Sequence, residues 1–350
     1  LFGGVEVNSS ERDQVFNSEY GVDYNSGRLI TITPEFFKQA KEEGTQLASF
    51  ARSWSRGLAY IASTSYSYKG RYTLNLTGRY EGSNKLGKSK TARWLPTWNI
   101  SGAWNAHEEE WFRKFMENTE NKISHFTMRA SYSLTADRGP SYVTNARPVV
   151  YATNIWRPTA DQQEQGLSLS NIANTELTYE KKHEFNIGLD LGLFSNRINI
   201  NADAYWRQNY DLMGYIETEA VGGIGSKLAN VAEMKSHGIE LTVSTNNLSY
   251  KSPIKWTTDF TFSYAYNEIS KLKSRSNVIG LVSGTGSNHF REGYPVSALF
   301  SIPFKGLNDE GVPQIINEDG ELTTPNINFQ EYDNLDFLKY EGPSDPKWYG

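Results

Sequence analysis

The sequence predicts an all-β protein: part of a transmembrane antiparallel β-barrel, about nine to ten strands of it, with long loops at one end. Three observations lead there. Apolar and polar residues alternate with period two through long runs, the signature of strands with two unlike faces. Those runs reach roughly eleven to sixteen residues, longer than soluble strands and close to what a tilted bilayer crossing needs. The third is composition. The 350 residues hold 21 Tyr, 17 Phe and 9 Trp beside only 4 Met, which suits aromatic girdles around a polar interior. No stretch of eighteen apolar residues occurs, so the helical route across a membrane is closed and only strands remain.

Taken in order, residues 1–33 offer two short strand-like pieces, Val5–Val7 and Arg28–Thr33. Thr33-Pro34 followed by EFFKQAKEEG then reads as a short helix with Pro in its first turn and Gly44 near its end. From Ser53 the alternation becomes strict, with Trp54, Leu58, Tyr60, Tyr66 and Tyr68 on one face and mainly serines on the other. After the Lys69-Gly70 turn, Tyr72, Leu74, Leu76 and Tyr80 oppose Arg71, Thr73, Asn75, Thr77 and Arg79. The next strand covers Trp94 to Asn105, and HEEEWFRKFMEN after it reads as a short helix with acids first and bases later. Ile123 to Leu134 sets Phe126, Met128, Ala130, Tyr132 and Leu134 against His125, Thr127, Arg129, Ser131 and Ser133. The period is then lost from 136 to 180, and a loop of that length in a compact protein is usually functional.

The most regular stretch follows. Phe185, Ile187, Leu189, Leu191 and Leu193 alternate with Glu184, Asn186, Gly188, Asp190 and Gly192, and beyond Ser195-Asn196 the apolar set moves to Ile198, Ile200, Ala202, Ala204 and Trp206. This is a tight hairpin of two long strands. The loop Gly214–Ser236 contains Gly222, Gly223 and Gly225, but it lacks the flanking strand, helix and Lys-Ser/Thr of a phosphate cradle and reads as flexible. Further strands run over His237–Asn247, Trp256–Tyr266 and Tyr294–Phe304. NDEG at 308–311 and NEDGE at 317–321 carry oxygens suited to calcium, yet their spacing completes no EF-hand and they read as solvated turns. Short turns thus gather at one end of the strands and the long loops 136–180, 214–235 and 267–293 at the other.

Several function classes are disfavoured. The net charge is −5 with scattered Lys and Arg, which offers nucleic acid no basic face. There is no Cys, and the five His lie on separate segments without ligand spacing, so no metal, cofactor or catalytic residue is assigned. No G-x-S-x-G elbow occurs; the chain is read as a non-enzyme. Asp190 and Asp203 are read as lumen-facing, as are Arg129 and Glu240, although only three-dimensional separation excludes a glycosidase pair. The opening LFGGVEVNSS has no charged and apolar leader, so a signal peptide has been removed or the chain is an internal piece.

The wording of the hairpin adds a resemblance. The run Asn174, Leu177, Glu180, Phe185–Asp190, Gly192–Phe194 and Asn196–Ile198, followed by a tyrosine-rich return strand and "DLM", resembles the SusC/RagA-type TonB-dependent transporters. TSYSYKGRYTLNLTGRYEGSNKLG (64–87), PTWNISGAWN (96–105), MRASYSLTADRG (128–139), KSHGIELTVS (235–244) and GPSDPKWYG (342–350) fit in the same order. The resemblance implies a Gram-negative outer-membrane barrel of about twenty-two strands, occluded by a plug. It implies TonB-dependent import of oligosaccharides or peptides, a SusD-like surface lipoprotein as cap, and TonB engaged through a region outside this chain. Residues 1–350 are then one stretch of a single barrel domain, its middle and later part, with plug, TonB box and last strands elsewhere. On that reading Tyr142, Tyr151 and Trp156 in the long loop are candidate contacts for substrate or cap. The rival is a secreted β-rich carbohydrate-binding module using the same aromatics.

Overall fold

The computed structural model describes residues 1–17, 22–23, 25–29, 33–43, 48–84, 93–118, 122–137, 148–156, 163–219, 225–248, 252–284, 288–316, 320–324 and 335–343. In chain order the strands are β1 (Phe2–Asn17), β2 (Val22–Asp23), β3 (Arg28–Leu29), β4 (Ala48–Tyr68), β5 (Tyr72–Ser83) and β6 (Trp94–Asn105). They continue with β7 (Ile123–Asp137), β8 (Val149–Trp156), β9 (Gln163–Asn171), β10 (Glu180–Leu193), β11 (Ile198–Glu217), β12 (Ser226–Asn246) and β13 (Thr257–Leu272). The last are β14 (Ala298–Ser301), β15 (Phe304–Leu307), β16 (Pro313–Ile316), β17 (Leu322–Thr323) and β18 (Lys339–Pro343).

Nine of these form one antiparallel sheet in the order β1-β4-β5-β6-β7-β10-β11-β12-β13. Each member pairs with the next long strand in the chain, the up-and-down order of a barrel wall. Register turns the sequence alternation into continuous faces. Ile100, Tyr132, Phe185, Trp206, His237 and Tyr266 form one cross-strand row. Two residues on, Gly102, Ala130, Ile187, Ala204, Ile239 and Tyr264 form the next, and then Trp104, Met128, Leu189, Ala202, Leu241 and Phe262. The apolar rows occupy the nine residues Phe185 to Leu193 of β10, about the 9–11 that a tilted strand needs to cross a bilayer.

The strands are longer than the membrane requires. β4 and β12 have 21 residues each and β11 has 20, so β4 extends roughly 70 Å at ~3.3 Å per residue. The excess lies beyond the apolar rows on the long-loop side. This revises several expectations. The "loop" Gly214–Ser236 shrinks to 218–225, because β11 and β12 stay paired up to Glu217↔Ser226. The piece Val5–Val7 grows into β1, paired with β4 from Phe2↔Ser63 to Asn17↔Ala48; its polar second half has no alternation because it is exposed on both faces. The stretch 136–180 is not wholly aperiodic, since β8 and β9 pair within it from Val149↔Asn171 to Trp156↔Gln163.

Tyr294–Phe304 is not a tenth strand of the sheet. It splits into β14, paired with β18, and β15, paired with β16. Phe300 is buried with Val278, Leu281, Phe337 and Leu338, and this small core draws the segment away from the wall. The helix inside that core, Val278–Ser283, is capped by the Asn277 side chain, which accepts from Gly280 N at 2.7 Å. NDEG is a turn: Asn308 Oδ1 accepts from the backbone of Glu310 and Val312, and Gly311 supplies the positive φ of 78°. Residues 317–319 of NEDGE, and Gly222 and Gly223, lie outside the described residues. The two helices expected elsewhere are present as Pro34–Glu42 and Glu110–Asn118.

Candidate functional site

The face opposite the apolar rows carries the polar residues, and there the side chains pair across strands. Arg129 on β7, Gly188 on β10, Asp203 on β11 and Glu240 on β12 stand in one row. The Arg129 guanidinium donates to Asp190 Oδ2 at 2.8 Å and to Asp203 Oδ2 at 3.2 Å. Asn201 donates to the same Asp190 carboxylate. The reach from β7 to β11 passes directly over Gly188, where a Cβ would sit 2.5 Å from Asp203 Oδ1 and 2.8 Å from Arg129 Cζ. Glycine is therefore needed to let one cation bridge strands that are not neighbours. Gly188→Val should push Arg129 off Asp203, loosening this part of the wall by about 1–3 kcal/mol, whereas Gly78→Val, whose Cβ would meet nothing within 4 Å, should be near neutral. Thermal unfolding of the complete protein in lipid measures both.

A second network lies two rows further toward the long loops. Glu184 accepts from Arg207 Nε at 2.8 Å and pairs with Lys182 at 2.9 Å. The Arg207 guanidinium lies 3.8 Å over the ring of Tyr205, which is itself buried against Gly238; a Cβ there would meet the Tyr205 hydroxyl at 2.4 Å. Near the first strands, Arg79 bridges Glu6 and Glu81, both at 2.7 Å. The polar face thus holds cations clamped between carboxylates, separated by Asn, Ser and Thr. Asp190, Asn199, Asn201, His125 and Thr242 line a groove of about 460 Å³ on it. Among the described residues no cluster of metal-ligating side chains occurs.

Arg129, Asp190 and Asp203 are brought into contact, and Glu240 shares their row but is exposed. Tyr151 and Trp156 lie on β8, outside the large sheet, while Tyr142 lies outside the described residues.

A knot that the sequence reading passed over sits just above the apolar rows. β11 is bulged between Asn209 and Leu212, and Asp211 adopts a left-handed φ of 56°. Asn230 on β12 ties it down: its Nδ2 donates to Asp211 O at 2.6 Å and Thr178 O at 2.9 Å, and its Oδ1 accepts from Thr178 N at 3.0 Å. Asn174 donates to Leu228 O at 2.9 Å, Glu180 accepts from Met213 N at 2.7 Å, and Lys181 reaches Asp211 at 2.6 Å. Leu177 and Tyr179 are fully buried, the latter with Leu95, Ala136 and Met213. Asn174, Leu177, Glu180 and the Asp-Leu-Met of the sequence motif are therefore parts of a single fastening.

The profile of the family described as TonB dependent receptor-like, beta-barrel matches residues 3–313. The chain belongs to the TonB-dependent receptor β-barrel family. TonB-dependent receptor P3 of Formosa agariphila is 27% identical over 255 residues, covering 70% of this chain and 24% of that protein. SusC of Bacteroides thetaiotaomicron, also a TonB-dependent receptor, is 24% identical over 224 residues, 61% of this chain and 21% of its own length. Among solved structures, the RagAB peptide transporter superposes with a TM-score of 0.70 at 21% identity, over 97% of this chain and 34% of that chain, a likeness of fold. The chain spans about a quarter to a third of the length of such relatives. TonB-dependent receptors of this type are outer-membrane proteins of Gram-negative bacteria and not enzymes. The apolar rows are accordingly the surface that meets lipid, and the secreted-module reading falls.

Proposed function

We propose that residues 1–350 form part of the single barrel domain of a SusC/RagA-like importer that takes up oligosaccharides or peptides. The observation that carries this reading is the asymmetry of the sheet: one face apolar over a bilayer's thickness, the other a ladder of clamped charges and amides. A lumen lined in this way offers donors and acceptors to a polar solute, with Arg129, Arg207 and Arg79 each held by carboxylates and Glu240 exposed. In this reading Arg129, Asp190, Asp203 and Glu240 face the lumen, the short turns face the periplasm, and the strand extensions carry the long loops outward. A SusD-like surface lipoprotein caps that outer end, and TonB acts through a region outside this chain.

The loop between β7 and β10, with Tyr142, Tyr151 and Trp156, is the proposed contact for substrate or cap. Deleting residues 140–160 from the complete receptor should leave the barrel folded and cut uptake or lipoprotein association by about tenfold or more, a loss of roughly 1.4 kcal/mol. Uptake assays and co-purification of the cap measure it, and unchanged values for both would refute the assignment.

A further inference from the structure

The connection from β6 to β7 is the odd one at the short-turn end. Where β10 and β11 are joined by Phe194–Arg197, this connection runs from 106 to 122 and contains a 3-10 turn, Ala106–Glu108, and the helix Glu110–Asn118. The helix is rooted in the barrel wall. The Glu109 carboxylate, almost fully buried, accepts from Tyr72 Oη at 2.5 Å, Arg71 Nη1 at 3.1 Å and Trp104 Nε1 at 3.4 Å. The Tyr72 hydroxyl foremost, then the Trp104 indole and the Arg71 charge, hold it below the usual carboxylate range, so it stays ionised as a fixed point for the helix start.

The helix folds over the apolar side of the sheet. Buried Phe112 packs on Phe126 with ring centroids 5.6 Å apart, and Trp111 lies 6.5 Å from Trp104; Phe126 and Trp104 both belong to the lipid-facing rows. Helical spacing sorts the remaining residues. Phe112 and Met116 share the face turned to the sheet, Trp111 and Phe115 share the adjoining face, and Arg113, Lys114 and Glu117 occupy the polar arc. Trp111 is 58% exposed and Phe115 49%. Their apolar surface continues that of Tyr72, Trp104 and Phe126, at the short-turn end of β5, β6 and β7 where the apolar residues of these strands stop.

We propose that this helix is an interfacial anchor: Trp111 and Phe115 lie in the headgroup–acyl boundary of the phospholipid leaflet at the short-turn end, with Lys114 toward the headgroups. Three features select phospholipid as the occupant: continuity with the lipid-facing rows, the place at their edge, and the polar arc pointing away. This inference rests on the barrel reading above and adds a second, tangential contact with the membrane to the one made by the strands.

The test uses single-cysteine variants of the complete receptor, with any cysteine outside this cysteine-free chain replaced. Phe115→Cys, Trp111→Cys, Glu117→Cys and, as reference on the sheet, Phe262→Cys are labelled with an environment-sensitive fluorophore. They are reconstituted in phosphatidylethanolamine–phosphatidylglycerol vesicles containing lipid with a doxyl group near the headgroup or deep in the chain. Probes at 111 and 115 should be quenched at least about twofold more by the shallow quencher than the probe at 117, while the probe at 262 is quenched by the deep one. Quenching at 262 without quenching at 111 or 115 overturns the anchor and leaves the barrel intact. No quenching at 262 overturns the barrel reading and the anchor with it.

Discussion

Leu189→Arg should destabilise the receptor in lipid by about 2–4 kcal/mol, whereas Asn186→Arg, three residues away on the same strand, should cost less than about 1 kcal/mol. Leu189 sits in the row with Met128 and Ala202, in the middle of the apolar band, where a guanidinium finds neither water nor a counter-ion. Asn186 stands between Ser131 and Tyr205 on the opposite face, where a new cation lies among polar groups and can reach water. Denaturant unfolding of both variants in vesicles measures the difference, and equal losses would contradict the assigned faces.

Asn230→Leu should cost about 2–4 kcal/mol despite replacing a residue of similar size. Its amide makes three bonds to backbone groups of Asp211 and Thr178, and leucine would leave all three half-buried groups without a side-chain partner, at about 1–3 kcal/mol for each that no water can reach. The damage should be local. Hydrogen exchange at Thr178 and across β11 beyond Asp211 should accelerate, while the lower halves of β10 and β11 keep their protection. Protection unchanged above the bulge would remove Asn230 from the role given to it here.

The parts of the fold that could be read from sequence are those where lipid imposes a rule. Between Phe185 and Leu193 one face must be apolar, so Ile187 and Leu189 declare their side, and by elimination so do Asn186 and Asp190. Above the apolar rows that constraint ends. The polar half of β1 meets water on both faces, while the upper halves of β11 and β12 pack into the knot, with Asn209 and Val231 buried and Met213 against Tyr179. In neither place must one whole face be apolar, so alternation vanishes and the same residues read as loop although their backbones remain paired. The bulge was hidden for a different reason: its left-handed residue is Asp211, not glycine, and nothing local marks it. Of the polar cluster, the acids and Arg129 could be found by parity alone. That Arg129 spans two strands depends on Gly188, which in the sequence is merely one more small residue on the polar face. Sequence reading of the motif from Asn174 to Glu180 recognised its wording but not its purpose, because its partners, Asn230 and Leu228, lie about fifty residues downstream.

That separation has a kinetic corollary. Thr178 precedes β10 in the chain, yet what holds it is a side chain of β12, two strands later in the sheet. Pairing of β10 with β11 can therefore begin as a local hairpin at Phe194–Arg197, but the outer end of β10 stays unlatched until β12 has arrived. The wall should zip from the short-turn end and lock last at Asn230, so that in a time-resolved protection experiment the amide of Thr178 becomes slow only after those of β12.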